Sequence, residues 1–136
     1  MDTVHRDLLH EDVASRVYWN AAAGCVELET NQLTTSRQFR ASMDVVPGLI
    51  SEKKAHKLLA DGSGGIVSDA EDLRWTEVEW LPRCLKAGVT HVAVVMPKSL
   101  AGHMSIDKMA QRTAVGPVTR RFFGSKEEAR EWLSKQ

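Results

Sequence analysis

The chain has 136 residues and carries 18 Lys plus Arg against 18 Asp plus Glu, so there is no cation surplus to release counterions from a polyanion, which argues against nucleic acid or an anionic membrane as a general partner. That length builds a core without metal or disulfide staples, and Cys25 and Cys84 stand far apart among apolar neighbours, as reduced core thiols of a cytoplasmic protein do. No segment reaches the roughly 20 apolar residues of a membrane span, and "MDTVHRDLLHEDVASR" lacks the apolar run of a signal peptide, so a soluble protein with no membrane span is expected.

Residues 1–15 have weak periodicity and are expected as an N-terminal arm or extra strand; residues 16–136 are expected as one α/β domain. "RVYWNAAAGCVELET" alternates apolar with polar residues on either side of a small-residue turn at Gly24, which predicts a β-hairpin whose outer face, Glu27 included, is wet. Thr35 and Gln38 have the spacing of a capping box, and Phe39, Met43 and Val46 make the inward stripe of a helix that Pro47 kinks or ends. "AHKLLAD" predicts a short buried strand, and the glycine-rich stretch "GSGG" follows it.

A second helix is expected from Ser68, as N-cap, to about Ala87, with Asp69, Glu71 and Asp72 in its first turn and Gly88 as its left-handed stop. Its apolar residues cover more than half its circumference. Leu73, Trp80, Leu81 and Cys84 fall on one side, and Trp75, Val78, Pro82 and Leu85 on another. Thr76, Glu79, Arg83 and Lys86 form the polar face, and Pro82 predicts a bend. "HVAVVMP" has the continuous apolar run of a central strand covered on both faces. A helix around Ile106, Met109 and Ala110 comes next, then the strand "VTRRFF", then a helix over "SKEEAREWL" capped at Ser125 with Ala129, Trp132 and Leu133 inward. Strands alternating with helices after a hairpin imply an α/β domain with a mixed sheet.

The glycine loop fits neither a Walker nor a dinucleotide spacing, and three carboxylates already occupy the helix start that a phosphate would need. Asp61 is expected to make a turn hydrogen bond, Ser63 to supply a turn conformation, and Ser68 to cap. Glu77 lies between Leu73, Leu81 and Cys84, so its carboxylate needs a partner, water, or a raised pKa. The five histidines have no metal-binding spacing, and no nucleophile elbow exists. Neither a metal nor a cofactor is implied.

The stretch "LLADGSGGIVSDAEDLRWTEVEWLPRCLKAGVTHVAVVMP" resembles a family pattern of the form "D…S..D..W…W.P…..G….A.V.P", and "FFGSKEEAREWL" matches that family's C-terminal strand and Ala/Trp/Leu helix. Over about residues 13–136 the chain resembles the small bacterial STAS/SEC14-type proteins with the SpoIIAA-like fold, related in architecture to the STAS domains of anti-sigma factor antagonists. The resemblance implies a mixed sheet of about five strands, with an N-terminal β-hairpin followed by alternating helices and strands. It also implies that Ser68 stands nearest the phosphorylatable serine of STAS regulators, whose Asp-Ser-Ser-Gly reads Val67-Ser68-Asp69-Ala70 here. A phosphate on Ser68 would meet Asp69, Glu71 and Asp72, and so would loosen the turn.

Three functions are consistent with these features. The leading expectation is a non-enzymatic STAS-like regulatory or interaction module. It docks a protein partner, or a second copy as a homodimer, through Trp75, Glu77, Trp80 and Arg83, with Asp61, Ser63 and Ser68 as a regulatory loop. The alternative is a small apolar-ligand or lipid-binding module of the SEC14-like type, with the two tryptophans lining a cavity. The third is an enzyme using Glu77 or a histidine as acid/base, and it lacks a motif.

Overall fold

The computed structural model describes residues 5–31, 34–63, 69–96, 114–115 and 118–136. Its centre is one mixed sheet in the order β1-β2-β3-β4-β5-β7-β6. The strands are β1 (Asp7–Glu11), β2 (Ser15–Asn20), β3 (Cys25–Thr30), β4 (Lys57–Asp61), β5 (His91–Val95), β6 (Ala114–Val115) and β7 (Val118–Phe123). β1, β2 and β3 run antiparallel, β3, β4, β5 and β7 run parallel, and β6 closes the far edge antiparallel to β7.

The α/β class and the mixed sheet agree with the sequence reading, but the sheet has seven strands where about five were expected. β1 is the extra strand allowed for in residues 1–15, and β6 was not expected; both lie at edges, where pairing uses the backbone and needs no apolar alternation. In β1 the pairing with β2 shifts between Leu8 and His10, and Leu8 remains exposed.

Strand parity sorts the core. Val26, Leu58, Val92 and Arg120 stand side by side on one face, as do Leu28, Ala60, Val94 and Phe122 one pleat further on. On this face lie α1 (Ser36–Met43), α2 (Val46–Lys53) and the long helix after β4, packed through Phe39, Met43, Ile50, Trp80, Leu81 and Cys84. The opposite face carries Cys25, Leu59, Ala93 and Val95, covered by α5 (Lys126–Ser134) through Ala129 and Leu133.

That second cover corrects the hairpin reading. Glu27 points to the expected wet face, yet it is fully buried because α5 lies over it.

Local capping follows the sequence closely. Thr35 and Gln38 form the reciprocal box of α1. Pro47 starts α2 after a break at Asp44, so two helices stand where one was expected. Ser125 accepts from the Glu128 amide at the start of α5.

The helix after β4 runs as α3 (Ala70–Trp75), a π-helical turn (Thr76–Trp80) and α4 (Leu81–Lys86). The Leu81 amide reaches back five residues to the Thr76 carbonyl, and Pro82, which has no amide hydrogen to give, follows at once. The expected proline bend takes the form of this widened turn. At the other end, Gly88 at φ 123° sends its amide to the Leu85 carbonyl, while the Val89 amide bonds to the Cys84 carbonyl. Those two bonds are a Schellman stop.

Candidate functional site

The parallel strands end side by side beneath the start of the long helix, and the space between them is not filled. A cavity of about 200 Å³ lies there, with Leu58, Ala60, Val92, Val94 and Phe122 from the sheet below and Phe39, Met43, Leu73, Thr76 and Trp80 from the helices above. The sequence accounts for the gap. Ala60 is a small residue in the middle of the sheet floor, and the π turn lifts the helix backbone away from a regular α path. Clefts beyond the carboxyl ends of parallel strands are common ligand sites in α/β proteins.

The cavity is apolar apart from a few groups at one end, and Arg120 and Glu77 matter most among them. Arg120 rises from β7 with its side chain 10% exposed, and its Nη1 donates to Glu77 Oε1 at 2.7 Å. The Glu77 side chain is 42% exposed. Of the three states open to Glu77 from sequence, the structure has a partnered carboxylate reaching water.

Trp80 lines the cavity, is buried, and donates its indole N–H to the Met43 carbonyl at 2.7 Å. That bond satisfies a carbonyl at the end of α1 and fixes the ring. Trp75 does not line the cavity. It packs edge-on against Phe39 with ring centroids 6.1 Å apart, and the guanidiniums of Arg40 and Arg83 lie 5.3 and 5.5 Å from its ring. Arg83 is exposed and pairs with Asp44 at 2.6 Å. The two tryptophans therefore share one continuous helix but serve different surroundings.

No family model, curated protein or solved structure matches this chain. The site therefore has to be read from its own geometry.

Asp61 is buried at the cavity rim, accepts the Ser63 amide at 2.9 Å and pairs with Lys126 at 3.3 Å. This is the turn bond expected of it, with an added clasp to α5. Ser63 itself is exposed, and Ser68 lies outside the described residues, as does the expected helix around Ile106. The N-cap assigned to Ser68 is corrected: the cap is Asp69, whose carboxylate accepts the Asp72 amide at 2.9 Å. An aspartate one step nearer the helix performs the same task.

Two features escaped the sequence reading. Asp72 is buried, and its carboxylate takes 2.6 Å and 2.8 Å bonds from Ser36 and Arg40 of α1. The Ser36 bond chiefly, then Arg40 against the opposing effect of burial, holds this carboxyl below its usual range. Glu27 is the second. Arg130 grips it with two bonds of 2.9 Å, Asn20 donates at 2.8 Å and Arg6 at 3.1 Å. Burial alone would raise its pKa, but the bonds from Arg130 and Asn20 and the charges of Arg130 and Arg6 outweigh it and hold it low. Acidic residues at a hairpin and a helix start read as solvated, so neither long-range partner had a local signal.

Both cysteines are buried and unbridged, and burial pushes each thiol up to about 12. Thiols held in that state are not nucleophiles at neutral pH. Among the described residues no His, Cys, Asp and Glu group has a metal-binding arrangement, and no helix is long and apolar enough to cross a membrane.

Proposed function

We propose that the protein is a non-enzymatic module of the STAS/SEC14-like kind with a SpoIIAA-like fold, and that its task is to hold a small apolar ligand between sheet and helix. The observation that carries this reading is the cavity of about 200 Å³ at the carboxyl ends of β4 and β5, with Trp80 in its wall. Support for the family reading is the hairpin leading into parallel strands, the helices on both faces and the C-terminal strand and helix. Against catalysis by Glu77 stands its engagement with Arg120, which holds it as an ion-paired carboxylate.

Native mass spectrometry of protein purified from its source cell tests the reading, together with octanol titration followed by tryptophan fluorescence. A retained small molecule, or a saturable change in tryptophan emission that Ala60→Phe removes, is expected. A protein with neither is not a ligand carrier.

A second reading, partner or self docking, is favoured by the outer side of the same helix, where Val78 is 60% exposed. Light scattering of Val78→Glu beside the parent protein decides it, since a contact through this side breaks when a charge enters it.

A further inference from the structure

Resting on the ligand-binding reading, we infer that the ligand is a small amphiphilic monocarboxylate, whose tail enters the cavity and whose carboxylate takes the place on Arg120 that Glu77 holds in the unliganded protein. The inequality between the two partners of this ion pair points to it. Arg120 sits on a central-facing position of β7 beside Val92 and Leu58, and its side chain is 10% exposed. Glu77 hangs from the π turn with 42% of its side chain in water. The guanidinium is thus fixed and largely desolvated, whereas the carboxylate can leave for solvent at small cost.

A buried cation must keep an anion. A ligand that brings its own carboxylate or a similar anion moves Glu77 aside and preserves a charge-assisted bond at this guanidinium nitrogen. An ammonium head would confront Arg120, and a hydroxyl would offer it only a neutral acceptor. Asp61, a second carboxylate at the rim, pairs with Lys126 and accepts the Ser63 amide.

Size sets the tail. An engineered protein cavity of about 150 Å³ takes one benzene, so a cavity of about 200 Å³ takes a chain or ring of only somewhat greater bulk. A full-length lipid does not fit that volume. Ala60 and Val94 below and Met43 and Trp80 above are apolar, and the Thr76 hydroxyl in the roof already donates to the Asp72 carbonyl, so the tail is saturated or aromatic rather than hydroxylated.

The test compares octanoate, octanol and octylamine by isothermal titration calorimetry on the full chain and on Arg120→Gln, Glu77→Gln and Ala60→Phe, with circular dichroism as the folding control. Octanoate should bind at least tenfold more tightly than octanol, and octylamine should bind weakest. Arg120→Gln should abolish the octanoate advantage, so that octanoate binds no more tightly than octanol. Glu77→Gln, whose amide oxygen can still accept from Arg120 but carries no charge, should tighten octanoate severalfold by removing the charged competitor. Ala60→Phe should block all three. Equal binding of octanol and octanoate, or an unchanged octanoate affinity in Glu77→Gln, overturns the head-group assignment and leaves the apolar cavity standing. Preference for octylamine overturns it too. If none of the three binds, the ligand-binding reading falls with it.

Discussion

Replacing Arg130 with methionine keeps most of the side-chain bulk on α5 but removes the partner of Glu27, whose residue is 0% exposed. Two bonds of 2.9 Å are lost at once. Breaking one side of a buried ion pair costs about 3–5 kcal/mol, because the remaining charge stays desolvated. Here Asn20 at 2.8 Å and Arg6 at 3.1 Å still hold the carboxylate, which places the cost near the lower end of that range. For a chain of 136 residues, unfolding entropy converts about 3 kcal/mol into a drop of roughly 10 °C in Tm.

The pH dependence supplies a second signature. In the parent protein the folded carboxyl titrates below its ordinary value of 4.5, so its contribution is present above that pH and is lost as pH falls through the folded pKa. Without Arg130 the largest lowering influence is gone, so the carboxyl in the folded variant titrates higher than in the parent and the variant loses less on acidification. The gap between variant and parent should therefore narrow as pH falls below about 4.5 in thermal melts followed by circular dichroism. A loss under about 1 kcal/mol, or a gap that does not change with pH, would refute the buried-pair account.

Three further outcomes are expected. Asp69→Ala should lower stability in urea by about 1 kcal/mol, since it removes the side chain that caps the helix after β4. Trp80→Ala should cost about 3–5 kcal/mol in the same assay, because a buried ring and its bond to the Met43 carbonyl go together; a negligible effect would mean the ring is not packed. Lys54 closes α2 at φ 52°, a left-handed conformation that disfavours side chains, so Lys54→Gly should raise the urea midpoint by the equivalent of about 0.5–1 kcal/mol. A lowered midpoint would show that the lysine stem makes a compensating contact.

Local signals in the sequence carried much of the fold. The Thr35 and Gln38 box, the hairpin around Gly24, the strand over Val118–Phe123 and the Gly88 stop each depend on residues within a few positions of one another, and each is found where the spacing puts it. Edge strands were less legible, because β1 pairs through its backbone while Leu8 faces water. The cavity and its polar end were only half visible. Trp80 and Glu77 stood out on the helix, but Arg120 is 43 positions from Glu77 and stands beside a second arginine, Arg121, in its strand, so nothing local marked it as the partner. Glu27 is the sharpest case. Its alternation with Val26 and Leu28 is that of a solvated face, and only the return of α5, 103 positions later, turns it inward.

The widened turn at Thr76–Trp80 has a consequence for how this chain tolerates change in length. Two requirements meet across it: upstream, Asp72 must stay latched to Ser36 and Arg40, and downstream, Leu81 and Cys84 must stay pressed on the sheet. A regular helix advances about 100° per residue, so excising one residue here would swing the downstream half around its axis by that angle. The latch and the pressed face could no longer be satisfied together. The extra residue in that loop of backbone acts as a fixed phase offset between two anchors, and it is also what leaves Glu77 leaning outward over the guanidinium.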